Sequence, residues 1–200
     1  MSYAIVGFGA IGQALARAFA RKNIGVTVAS RRPPEALAPQ ARAIGPMVVA
    51  KSLRDALKAD TIILAVPFGE HQEVAKALPS WKGKTIIDAT NAFGVPPEEL
   101  GGLPSSAFVA KAFTGAKLVK GFNHLVAATL ATDPIVEGGH RVVFLSSDDE
   151  DATAPVADLA KQLGFAPVKL GKLNEGGALV HARGRTWGRL IFQDLLKKEQ

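Results

Sequence analysis

Short apolar runs alternate with helically spaced apolar positions along most of this chain. Tyr3-Ala4-Ile5-Val6 reads as a first strand, and Leu15, Ala16, Phe19 and Ala20 then fall on one face of a helix. Val26-Thr27-Val28-Ala29 predicts a second strand, Pro34 to Ala43 a helix, and Met47-Val48-Val49 a third strand. Ser52, with Asp55 three residues on, has the spacing of an N-cap for a short helix to Lys58. Thr61 to Val66 is a continuous run, as a strand covered on both faces requires. A helix from Gln72 to Leu78, a strand at Thr85-Ile86-Ile87 and a Gly- and Pro-rich loop from Asn91 to Pro104 follow. Beyond these come a helix over Ser106–Phe113, strands at Leu118-Val119 and Arg141–Leu145, and a helix over Glu150–Leu163. A strand at Pro167–Leu170 then leads to C-terminal helix over Glu175–Lys198.

That order predicts an α/β fold, a doubly wound, mostly parallel, Rossmann-like sheet with helices on both faces. Residues 1–200 are expected to form a single domain, with 141–200 a short β-α-β-helix extension of it. In such sheets ligands sit outside the carboxyl ends of the strands. This rule selects five loops: Gly7–Gly12, Ser30–Arg32, Val66-Pro67-Phe68, Asp88–Asn91 and Gly121–His124.

The first loop, Gly7-Phe8-Gly9-Ala10-Ile11-Gly12, is a G-x-G-x-x-G motif between a predicted strand and a predicted helix. A lone motif of this kind is unspecific. Strand, glycine turn, helix and second strand within about 30 residues make it a dinucleotide-binding signature. Gly7 allows the tight turn, Gly9 lets the backbone approach a pyrophosphate, and Gly12 lets the helix pack on the sheet. The free N–H groups at the helix start then face the diphosphate.

The end of the second strand tests the adenosine ribose. A site for NAD usually carries Asp or Glu there, whereas this chain has Ser30, Arg31 and Arg32. A carboxylate would repel a 2′-phosphate, while a serine hydroxyl and two guanidiniums pair with it. One charge-assisted hydrogen bond, worth roughly 1.5–3 kcal/mol, favours NADP over NAD by ~10-fold or more. The expected cofactor is therefore NADP(H). Ala65, Val66 and Pro67, which turns the chain beneath the nicotinamide ribose, complete the expected cofactor residues together with Thr90 and Asn91.

Composition narrows the chemistry further. The chain has 48% apolar and 21% charged residues and a net charge of +6. The basic residues are spread out, in small groups such as Arg17/Arg21/Lys22, Lys111/Lys117/Lys120 and Arg183/Arg185/Arg189, which argues for anionic small molecules rather than nucleic acid. With no cysteine there is no thiol nucleophile, disulfide or thiolate metal site, and a cytoplasmic setting is expected. No leader is expected before the first strand, and no apolar run reaches the ~18 residues of a membrane span. Neither a metal cluster nor an acid–base dyad is evident.

The ordered series of motifs resembles the NADPH-dependent deazaflavin (coenzyme F-420) reductase family, whose fold is also seen in the cytosolic domain of the STEAP metalloreductases. The resemblance rests on Gly7–Gly12, Ala29-Ser30-Arg31-Arg32, Val66-Pro67 with His71, Asp88-Ala89-Thr90-Asn91 and Val119-Lys120-Gly121-Phe122-Asn123. Ser146–Glu150 and Gly164-Phe165 leading to Leu170–Leu173 continue it. It implies an NADP(H) site and hydride exchange with a deazaflavin, F-420, or a flavin as second substrate. Two features depart from the family: Pro33, Pro34 and Glu35 stand where it often has a lysine, and the segment from Glu175 resembles a bacterial offshoot.

Hydride transfer between two ring cofactors needs little acid–base help, because both have built-in electron sinks. Of the four histidines, His124 at a strand end is the one expected to face substrate and is the single catalytic candidate. His71 reads as a cap or rim residue, His140 as an exposed turn residue and His181 as a helix residue. Trp187 and Phe192 are expected to pack the C-terminal helix or a homodimer contact. Two other readings stand beside the oxidoreductase. One is a non-catalytic NADP(H)-binding sensor. The other is a reductase of a small imine or carbonyl substrate, although those relatives append a helical domain of roughly a hundred residues.

Overall fold

A computed structural model describes residues 1–184 and 188–198. Its first half runs β1 (Tyr3–Val6), α1 (Ala10–Arg21), β2 (Val26–Ala29), α2 (Pro34–Ile44), β3 (Val48–Ala50), α3 (Leu53–Ala56), β4 (Thr61–Leu64), α4 (His71–Ala75) and β5 (Thr85–Asp88). The second half adds α5 (Ser105–Ala112), β6 (Lys117–Gly121), α6 (Ala127–Ala131), β7 (Ile135–Val136), β8 (Gly139–Ser146), α7 (Glu150–Gln162), β9 (Ala166–Lys169) and β10 (Leu196–Lys198). Strands β3-β2-β1-β4-β5-β6 are all parallel, in the order of a dinucleotide-binding sheet. β8 then runs antiparallel beside β6, with β9 parallel to it and β7 and β10 antiparallel.

The central strands are apolar on both faces because helices cover both. Ile5, Ile63, Ile87 and Val119 point to the side packed by α1, α2 and α7, where Leu15, Phe19, Leu37, Val156 and Leu159 are buried. Their alternates Ala4, Val6, Ile62, Leu64, Ile86 and Leu118 meet Val74, Trp81, Val109 and Phe113 on the other side. Period-two alternation thus divides each strand between two cores, each fully buried large side chain contributing roughly 1.5–3 kcal/mol. The expected doubly wound, mostly parallel sheet is what forms.

Ser52 caps α3 as expected, its hydroxyl accepting from Asp55 N at 3.1 Å. Among the described residues the helix expected over Glu175–Lys198 does not form: a 3-10 turn at Gly176–Val180 is followed by turns and bends, and β10 closes the sheet edge against β8. The cause lies in the glycines. A Cβ at Gly176 would stand 2.1 Å from Leu170 O, and one at Gly177 would meet Ser146 Oγ at 2.6 Å. Gly188 adopts φ +78, and even Arg183 and Phe192 take left-handed backbone, φ +65 and +64. Arg185, Thr186 and Trp187, and with them the packing expected of Trp187, lie outside the described residues.

His140 is not the exposed turn residue expected of it. It sits half-buried in β8, its Nδ1 2.8 Å from Gly164 O. Nor is His181 in a helix; it follows the 3-10 turn and is fully buried.

Candidate functional site

The carboxyl ends of β1, β2 and β4 surround a cleft of about 400 Å³. Its walls bring together three stretches separated by up to 60 residues in sequence: Gly7–Gly9, Ser30–Arg32 and Ala65–Pro67. Val6, Leu53, Glu70, Glu73 and Val74 complete the lining.

Each glycine of the first loop has a separate steric reason. Gly7 takes φ +99, and a Cβ there would lie 2.3 Å from Ala65 O. At Gly12 a Cβ would sit 1.9 Å from Gly7 O, so only glycine lets α1 close onto the turn. Gly9 lines the cleft, and a Cβ there would meet no protein atom within 4 Å. What its missing side chain leaves free is space in the cleft. The N-terminus of α1 has no side-chain cap and no acidic residue in its first turn, so the amides of Ala10, Ile11 and Gly12 and the positive end of the helix dipole remain for an anion. These features fit a dinucleotide diphosphate.

At the end of β2, Ser30 Oγ accepts from Arg32 N at 3.0 Å, and Arg32 Nη2 donates to Gln40 Oε1 at 3.3 Å. Arg31 Nη1 reaches Glu70 Oε1 at 3.0 Å, linking the β2 and β4 sides of the cleft. Arg31 is 85% exposed, so this pair adds little to stability. The acidic group facing Arg31 therefore comes from beyond β4, and none stands at the end of β2.

Thr90 and Asn91 are placed differently from the cleft residues. Thr90 is buried, with its N–H and hydroxyl donating to Asp88 Oδ1 at 2.9 and 2.7 Å. Asn91 exchanges hydrogen bonds with Asn123, Nδ2 to Asn123 O at 2.8 Å and Oδ1 from Asn123 Nδ2 at 3.0 Å. Asn123 Nδ2 also donates to Val180 O at 2.7 Å, tying the ends of β5 and β6 to the C-terminal segment. Neither Thr90 nor Asn91 lines the cleft.

Beneath these loops lies a buried charged pair that no local motif of the sequence marks. Lys120 Nζ is 3.1 Å from Asp88 Oδ2, both side chains fully buried. Ser106 Oγ donates to the same carboxylate oxygen at 2.6 Å, and Lys120 also donates to Thr90 O. Burial opposes the Asp88 carboxylate, but Lys120, Ser106 and Thr90 together outweigh it and hold its pKa below the usual value. Burial pulls Lys120 down, and Asp88 resists that. The available signal was a lysine inside the apolar run Leu118-Val119-Lys120, since a charge in a buried strand needs a partner. Nearby, His181 Nδ1 lies 3.4 Å from Ser105 Oγ. Its pKa falls to about 3, from burial first and then from Lys120, against Asp88.

His124 is fully buried and lines no part of the cleft. Its ring meets Phe144 edge-on at 4.8 Å. Burial takes its pKa down to about 4, against the raising effects of the Val142 backbone and Asp194. Of the aromatics near these strand ends, Phe122 is in the core against Phe165, and Phe68 packs on His71. His71, buried at the start of α4, is held by the Phe68 carbonyl.

Residues 2–92 match the family described as NADP oxidoreductase, coenzyme F420-dependent, and this span contains every lining residue of the cleft. The match takes in the half of the chain that holds the cleft and, with the structural neighbours, supports an NADP-binding Rossmann protein related to this family. A hypothetical protein from Sinorhizobium meliloti has the same structure with a TM-score of 0.91 and 42% identity, over 98% of this chain and 96% of its own. A protein from Arthrobacter sp. FB24, named for a suggested F420-dependent NADP-reductase activity, is 26% identical with a TM-score of 0.71 over 86% of each chain. Metalloreductase STEAP3 of Rattus norvegicus is 26% identical over 172 residues, which make up 84% of this chain and 33% of that protein. The chain thus spans no more than about a third of the length of the curated relatives it matches. The members of the matched family are NADP-dependent oxidoreductases. No helix among the described residues is long and apolar enough to cross a membrane.

Proposed function

We propose that this protein holds NADP(H) in the 400 Å³ cleft and exchanges a hydride between it and a deazaflavin or flavin ring. The observation that carries the reading is the pairing of the Gly7–Gly9 turn with Ser30, Arg31 and Arg32 in one cleft, with no carboxylate at the end of β2. Bound NADPH supplies the two electrons and hydrogen of a hydride, and a proton from solvent completes reduction of the acceptor. The chain's own part is to bind, align and exclude water.

Gly7, Phe8 and Gly9 form the turn beneath the diphosphate, and Ala10, Ile11 and Gly12 present the helix amides to it. Ser30, Arg31 and Arg32 receive the 2′-phosphate. Ala65, Val66 and Pro67 support the nicotinamide ribose. Thr90 and Asn91 enter through the loop shape that Asp88, Lys120 and Asn123 impose. Because the ring of His124 is neutral and enclosed, its role in this reading is to position the loop after β6 rather than to transfer a proton. A cytoplasmic homodimer using a small-molecule acceptor belongs to the same reading.

The test is rapid-mixing oxidation of NADPH with F-420, FMN, FAD, riboflavin and ferric chelates in turn. Turnover with a ring acceptor is expected. Tight NADPH binding with no turnover by any acceptor would make the protein an NADP(H)-binding sensor instead.

A further inference from the structure

The cleft carries an anion of its own at the turn assigned to the 2′-phosphate. Ser30 Oγ accepts from Arg32 N, and Arg32 reaches the neutral amide of Gln40. Arg31 instead faces a carboxylate, its Nη1 lying 3.0 Å from Glu70 Oε1. Both residues of this pair line the cleft.

Exposed ion pairs are common and usually count for little in stability. Three observations give this one another meaning. Glu70 is 29% exposed against 85% for Arg31, so the carboxylate is the more enclosed partner. It stands on the 3-10 turn Phe68–Glu70, where Glu70 N donates to Pro67 O at 2.9 Å. Second, Glu70 occupies the N-cap position of α4 but makes no side-chain cap, so the helix it precedes does not account for its direction. Third, Glu73, the other acid of the cleft wall, already pairs with Lys76 at 2.7 Å.

One guanidinium then faces two anions in turn. A phosphate monoester carries about −1.5 to −2 charge near neutral pH and several strong acceptor oxygens, more than a carboxylate offers. It takes Arg31 from Glu70. The released carboxylate is left beside a second anion, and that like-charge contact opposes binding.

We propose that Glu70 is a built-in competitor for the 2′-phosphate: its carboxylate engages Arg31 until NADP(H) displaces it. The inference rests on the NADP(H) reading above and adds a determinant from beyond β4 to those of the glycine loop and the β2 turn. A dinucleotide without the 2′-phosphate leaves the Arg31–Glu70 pair in place. Glu70 therefore weakens NADP(H) binding more than NAD(H) binding, and sets how far the cleft separates the two.

The test is a calorimetric titration of the full chain with NADPH and, separately, with NADH. The wild type is compared with Glu70→Gln, Glu73→Gln, Arg31→Ala and the double variant Arg31→Ala/Glu70→Gln. Glutamine keeps the shape and removes the charge; thermal unfolding checks that each variant is folded, and Glu70→Ala serves as a second neutral replacement. Glu70→Gln is expected to bind NADPH about threefold more tightly, as release of an exposed ion pair implies, with little change for NADH. Glu73→Gln is expected to gain clearly less, because Lys76 already offsets its charge. In the Arg31→Ala background the gain from Glu70→Gln should disappear. The proposal is overturned, and the NADP(H) site stands, if Glu70→Gln binds NADPH no more tightly than wild type or gains equally for both dinucleotides. An equal gain from Glu73→Gln, or a gain that survives the loss of Arg31, overturns it too. If the wild type does not bind NADPH, the underlying reading falls and takes the proposal with it.

Discussion

Asp88 and Lys120 are register partners on adjacent parallel strands, and their charged ends meet at 3.1 Å with no exposure to solvent. The pair sits immediately before the loops that follow β5 and β6, and Lys120 also donates to Thr90 O. An ion pair fully out of water is an expensive way to stabilise a sheet. Its value here is the shape of the Thr90–Asn91 turn, which it fixes from below. Lys120→Met leaves the Asp88 carboxylate buried without its cation and should cost about 3–5 kcal/mol in denaturant unfolding. Adding Asp88→Asn should restore part of that loss, so the double variant will be less destabilised than the sum of the singles. Additive losses would show that the two side chains act independently.

Gly9 and Gly12 separate binding from folding. Gly12→Ala forces a Cβ to within 1.9 Å of Gly7 O and should destabilise the protein by ~1–3 kcal/mol or more. Gly9→Ala meets no protein atom within 4 Å and its φ of −82° suits alanine. Its stability should stay within about 1 kcal/mol of wild type, while NADPH affinity falls because the new methyl occupies the cleft. Thermal unfolding and NADPH titration of both variants check this contrast.

Acid should unfold the protein through its buried histidines. His124 and His181 have folded pKa values of about 4 and about 3, both below the ordinary 6.5 of an unfolded histidine. The unfolded chain therefore binds more protons than the native one below pH 6.5. Stability is full above that pH and falls as pH drops toward 4, by about 1.4 kcal/mol per pH unit for each histidine. Asp88 does not share this window, because its depressed pKa matters only below the usual carboxylate range. Unfolding midpoints between pH 7 and pH 4.5 measure the slope, and replacing His124 with Gln should flatten it.

The sheet was readable in the chain because its central strands are pure apolar runs such as Thr61–Leu64, and the helices between them carry one-sided patterns. Most of the cleft was readable too, since Gly7, Gly9, Gly12 and Ser30-Arg31-Arg32 are local motifs. What escaped were relationships between distant positions. Glu70 has no local feature that pairs it with Arg31, and Asn123 meets Asn91 only because β5 and β6 are neighbours. Lys120 looked like one member of a scattered basic group until its burial became visible. The C-terminal segment departs from the expected helix because Gly176 and Gly177 are required by contacts with Leu170 and Ser146 that the segment itself cannot reveal.

The two arginines of the β2 turn carry the choice of cofactor, so their effects should differ between the two dinucleotides. Arg31→Ala and Arg32→Ala should each weaken NADPH binding by ~10-fold or more, as loss of a charge-assisted hydrogen bond implies, and change NADH binding far less. Equal losses for both dinucleotides would place the arginines against the shared part of the molecule.

The most direct measurement is a calorimetric titration of the wild-type protein with NADPH and with NADH under one buffer and salt concentration. The cleft built from Gly7–Gly9 and Ser30–Arg32 predicts that NADPH binds at least ~10-fold more tightly. Equal affinities, or tighter binding of NADH, would contradict it.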